Sequence, residues 1–172
     1  MAWIKLRLPA KNRNDGEKMN LTQNFTLHEM TKSETALRFG MDNTPKNSEI
    51  NNMRVLCEEV LQKVRDYYGM GVKVNSGYRH PLVNSKVGGS PTSDHCKGFA
   101  ADIEIPGVAN AEVAQWIADN CQFRQLILEF YTPGIPDSGW VHVSYDPNDL
   151  KKQVMTATKQ DGKTVYLNGL VA

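Results

Sequence analysis

His95, Asp102 and His142 carry the strongest chemical signal in the chain. His95 closes a Gly/Ser-rich stretch, and Asp102 follows seven positions later inside Ala100 to Ile105, an alternating run that reads as a strand. Alternation puts Asp102 on one face with Ala100 and Glu104, and Ala101, Ile103 and Ile105 on the other. A second run, Trp140 to Tyr145, places Trp140, His142 and Ser144 together, so pairing the two strands can bring His142 beside Asp102. Two imidazoles and a carboxylate form a borderline-soft, three-ligand set that suits zinc and leaves a fourth position for water. Each residue also has a plainer reading, His142 as a hydrogen-bonded core histidine and Asp102 as a carboxylate anchoring a loop. A desolvated carboxylate among apolar strand residues is costly without a compensating cation, which favours the metal reading, yet spacing alone leaves both open.

The other candidate ligands read as structural. Cys57 and Cys121 fall on the apolar stripes of two helices and behave as small core hydrophobes. Cys96 adjoins His95, and adjacent residues rarely converge on one ion, so it reads as an inert neighbour. His28 and His80 read as surface or capping residues.

The elements that must position the triad follow from pattern and punctuation. Thr26 with Glu29 is a capping box that opens a short helix, and Ser33 to Phe39 forms another, stopped by Gly40. Residues 48 to 68 repeat apolar side chains at helical spacing and end at Gly69. Val72 to Tyr78 alternates as a strand that delivers Arg79 to its far end, and His80 to Lys97, with Gly88, Gly89 and Pro91, reads as a long functional loop. A helix capped by Asn110 runs to Cys121, and Gln125 to Tyr131 is a further strand. Val154 to Ala157 and Thr164 to Leu167 flank Asp161-Gly162 as a hairpin. The architecture expected is α+β, an antiparallel sheet with helices packed mainly on one face.

The chain has 172 residues, 20 basic against 19 acidic, and no basic cluster longer than a pair. That balance argues against nucleic acid or an anionic membrane as partner, and no stretch approaches the roughly 20 apolar residues of a membrane span. Met1 to Leu8 alternates apolar and basic residues without a signal-peptide pattern, so a soluble, monomeric protein is expected. Residues 1–22 read as a polar arm whose truncation does little, and 23–172 as one domain.

Ser76-Gly77-Tyr78-Arg79, Ser93-Asp94-His95 through Ala101-Asp102, and Trp140-Val141-His142-Val143-Ser144 stand in an order that resembles the zinc D-alanyl-D-alanine carboxypeptidases and related phage cell-wall peptidases. Their wider superfamily includes lysostaphin-type endopeptidases and the Hedgehog signalling domain. The resemblance, over roughly Asn24 to Pro147, implies a Hedgehog/D-Ala-D-Ala-peptidase-like fold. It also implies Zn2+ on His95, Asp102 and His142, with Arg79 on a substrate carboxylate or the developing oxyanion and Ser93 close to bound peptide. Many members place an acidic general base three residues before the last histidine, where this chain has Gly139. Glu129 on the neighbouring strand is the first choice for that role, and Asp137 the runner-up. The activity implied is hydrolysis of peptidoglycan stem peptides, by a lytic enzyme or a trimming carboxypeptidase. A metal-containing binding module without turnover is the alternative. The setting implied is a phage-encoded endolysin held in the host cytoplasm until release, or a tail-associated enzyme of the virion.

Overall fold

The computed structural model describes residues 19–171; most of the polar arm, residues 1–18, lies outside them. The end of that stretch is held down, since Leu21 is buried and the Thr22 hydroxyl donates to Gln62 at 2.8 Å. Thr26 and Glu29 cap each other reciprocally to open α1 (Leu27–Thr31), and α2 (Glu34–Phe39) ends in the left-handed Gly40. The long apolar-periodic segment runs as α3 (Asn47–Leu56), a π-helical turn (Cys57–Leu61) and α4 (Gln62–Tyr68), which Gly69 terminates. Met53, Leu56, Val60, Leu61 and Val64 are fully buried along it. Each contributes roughly 1.5–3 kcal/mol of transfer free energy, which holds this helical run against the sheet whatever the local propensity.

Six strands form one sheet in the order β1-β2-β4-β3-β5-β6, with β1 Lys73–Ser76, β2 Ala100–Glu104, β3 Gln125–Glu129, β4 Trp140–Ser144, β5 Gln153–Gln160 and β6 Lys163–Asn168. It is mostly antiparallel, with one correction to expectation: β5 pairs parallel to β3. The chain leaves β4 at the edge where β3 begins and crosses that edge through residues 145–152. It therefore starts β5 alongside the start of β3, Gln125 opposite Gln153. Ala101, Ile103, Leu126, Leu128, Val141 and Val143 turn one face of the central strands into the core that α3, α4 and α6 (Asn110–Asn120) share. The opposite face is left for the site.

Two further expectations are corrected. The stretch from His80 to Lys97 is not one loop, because it contains α5 (Pro81–Lys86) and a 3-10 turn (Asp94–Lys97). His80 Nδ1 accepts from the Leu82 N–H as the cap, and Pro81 occupies the first turn, where its missing N–H has no cost. Asn110 does not cap α6. Ala109 precedes the helix without a side-chain cap, while the buried Asn110 amide donates to the carbonyls of Ser138 and Gly139. Asn110 thus fixes the turn that leads into β4.

Candidate active site

β2 and β4 pair so that Asp102 stands directly opposite His142. His95 enters from the 3-10 turn, whose N-cap Ser93 accepts from the His95 N–H at 3.3 Å. Three donor atoms converge: His142 Nδ1 lies 2.8 Å from Asp102 Oδ1, His95 Nε2 lies 3.2 Å from the same oxygen, and the two ring nitrogens are 3.2 Å apart. Among the described residues, these three form the group able to hold a metal ion, and Cys96 is not part of it. Tetrahedral zinc with bonds of about 2.0–2.1 Å holds its donor atoms roughly 3.3–3.4 Å apart, so the triangle fits with small adjustments.

A backbone contact orients His95. Its Nδ1–H donates to the Gly77 carbonyl at 2.7 Å, which leaves the Nε2 lone pair facing the other two donors. Gly77 is held there by α1, because Tyr78 N donates to the Met30 carbonyl at 2.7 Å. A β-carbon at Gly77 would run into that same carbonyl. Gly77→Ala is therefore expected to destabilise the fold by about 1–3 kcal/mol and to weaken zinc binding about 10- to 100-fold. Thermal melting and a zinc titration on one preparation check both parts, and an unchanged affinity would remove the orienting role.

Burial works against charge on all three groups, and the partners decide the outcome. For His142, burial is outweighed by the hydrogen bond and charge of Asp102, so its pKa rises. For His95, burial prevails over the more distant Asp102 and the pKa falls. Burial also opposes the Asp102 carboxylate, but His95 and His142 hold it well below the ordinary carboxylate range. The two imidazoles shift in opposite directions because the closer one, His142, gains more from the Asp102 carboxylate than burial takes away. A divalent cation bound by the three donors would compensate the Asp102 charge.

Arg79 follows β1. Its backbone N–H donates to the His95 carbonyl at 3.1 Å, and its guanidinium lies 3.5 Å from Asp102 Oδ2. Its Nε is buried without a partner among the described residues, a donor held close to the triad. Glu129 pairs with Trp140 on β4 and so lies on the His142 face, two residues along the strand from Ile127, which stands opposite His142. It is half-buried. Burial raises its pKa, the Asp102 charge adds to this, and His142 and Arg79 oppose it. Asp137 lines a separate small cavity with Glu104, Ile105 and Asn110. Gly139 is left-handed at φ 65°, and a β-carbon there would collide with the Glu129 carbonyl. An acidic side chain cannot stand at that position without moving β3.

The triad, Arg79, Glu129 and Ser93 all line one cleft of about 700 Å³, within the range of small-ligand sites. The cleft also takes in residues that sequence reasoning missed: Arg124, Gln125, Ile127, Lys151, Met155 and Tyr166. Period-two alternation along β3 could have placed Gln125 and Ile127 with Glu129. Met155 and Tyr166 reach the cleft through the parallel β3–β5 pairing and the β6 hairpin, which no local pattern signals.

The family described as Peptidase M15 matches residues 23–144, a span that includes the triad, Arg79, Ser93 and Glu129. No curated protein matches the chain.

Proposed function

The chain belongs to the Peptidase M15 family, zinc D-Ala-D-Ala carboxypeptidase-like peptidases, and from that premise we propose that it hydrolyses amide bonds in peptidoglycan stem peptides. His95, Asp102 and His142 hold Zn2+ in this reading. The observation that carries it is the meeting of three donor atoms within 3.2 Å on the floor of a cleft that also contains Glu129.

Held by His95, Asp102 and His142, zinc would supply a water whose pKa falls from about 16 toward roughly 7 and a Lewis acid for the scissile carbonyl. Glu129 is the general base. It takes one proton from the attacking water and gives it to the leaving amine as the C–N bond breaks. Its half-buried position raises its proton affinity, and the nearby His142 and Arg79 oppose that rise. Arg79 stabilises the negative charge that develops on the carbonyl oxygen, or holds a substrate carboxylate with its planar fork. Ser93 spends its hydroxyl on the His95 turn and stands at the cleft wall, where it contacts the bound peptide.

Incubation with a strong zinc chelator is expected to abolish hydrolysis of a defined stem peptide, and added zinc to restore it. Activity that survives after metal analysis reads zero would overturn the metal dependence. Product mass on the same peptide separates two activities: loss of one alanine means trimming, and release of the stem from glycan means lysis. The setting proposed, by analogy with phage members of the family, is bacteriophage lysis, as an endolysin or a tail-associated enzyme. Among the described residues no helix is long and apolar enough to cross a membrane.

A further inference from the structure

The cleft continues past the triad toward the start of β3. Ile127 stands opposite His142, Glu129 lies two residues to one side, and Arg124 lies three residues to the other. At about 3.3 Å per residue, Arg124 begins roughly 10 Å from the His142 position along the strand. The Arg124 guanidinium is already set in place. Nη1 donates to the buried Asp94 at 2.7 Å and Nε donates to Asp149 at 2.8 Å, while Nη2 has no partner among the described residues. Lys97 lies 3.4 Å from Asp94 and Lys151 lies 4.0 Å from Asp149, so three cations share two carboxylates at this end. The cleft lining as a whole has four cationic side chains, with Arg79, against Asp94, Asp102 and Glu129. Lys97, Arg124 and Lys151 against Asp94 and Asp149 leave one positive charge unneutralised at the Arg124 end.

We propose that Arg124 and Lys151, supported by Lys97, form a second anion subsite that binds a carboxylate carried within about three residues of the scissile amide. The subsite rests on the reading of the cleft as a peptide-binding site. The fixed guanidinium leaves Nη2 as its unpaired donor for the carboxylate, and Lys151 lines the same cleft from the link between β4 and β5. Charge-assisted bonds from a preorganised arginine are the strong class of hydrogen bond, so this contact ranks substrates that differ only in one carboxylate.

Two synthetic stem-type peptides, identical except for a free carboxylate or a carboxamide two residues from the scissile bond, test the proposal. Binding is measured by calorimetry on zinc-loaded Glu129→Gln protein, and hydrolysis on the wild type. The carboxylate peptide is expected to bind about tenfold more tightly, with the gap narrowing at high salt. Lys151→Glu, an exposed change, is expected to cut that preference below about twofold, and Arg124→Gln provides the second variant if its melting curve is intact. Equal affinity of the two peptides would overturn the subsite, as would a preference untouched by both variants. Carboxylate preference without hydrolysis keeps the subsite and removes the peptidase reading. Hydrolysis of both peptides at equal KM does the reverse.

Discussion

Glu129→Gln lowers kcat on a stem peptide by about 10²- to 10⁴-fold while the protein keeps its zinc, because the amide preserves size and hydrogen bonding but cannot accept the proton. Glu129 is not one of the three convergent donors, so metal content should not change. Position is the main argument for the role: it shares the His142 face of the sheet and the cleft, whereas Asp137 lines a separate cavity. Asp137→Asn is expected to leave kcat within about twofold. The pair of variants, assayed side by side with zinc content measured, decides between them. A fully active Glu129→Gln enzyme would move the base elsewhere.

Asp102→Asn removes hydrolysis altogether, and for a different reason. The carboxamide keeps the shape of the side chain but offers a neutral oxygen, and the two buried imidazoles then face the cation without a compensating charge. Zinc uptake is expected to fall in proportion to activity, in contrast to Glu129→Gln. The metal-free variant also loses the hydrogen-bonded charge that raises the His142 pKa, so that pKa drops toward or below its ordinary value. An NMR titration of the imidazole reads that shift directly. A variant that stays active with full zinc occupancy would show that Asp102 is a structural anchor.

The sequence makes the triad legible because alternation is a local property. Ala100 to Ile105 and Trp140 to Tyr145 each assign one face to polar residues, and the β2–β4 pairing joins Asp102 to His142. His95 is less direct, since its approach depends on the 3-10 turn and on the Gly77 carbonyl, neither visible in a hydrophobic pattern. The α5 helix was hidden by Gly88, Gly89 and Pro91, which dominate the composition of the stretch, although His80-Pro81 is a usable start signal. Asn110 has the right residue type for a cap, but tertiary contacts take its amide to the turn before β4. Arg124, Asp94 and Asp149 meet across 25 to 30 positions, so no window of sequence reveals that cluster. The expected position for the acidic base reads as a departure in sequence. The structure supplies the cause, because the left-handed Gly139 lies against the Glu129 carbonyl.

The central claim is that His95, Asp102 and His142 hold one ion together. Calorimetric zinc titration of metal-stripped protein, run beside His142→Ala, tests it most directly. One zinc per chain is expected for the wild type and none for the variant under the same conditions. No uptake by the wild type, or equal uptake by the variant, would contradict it.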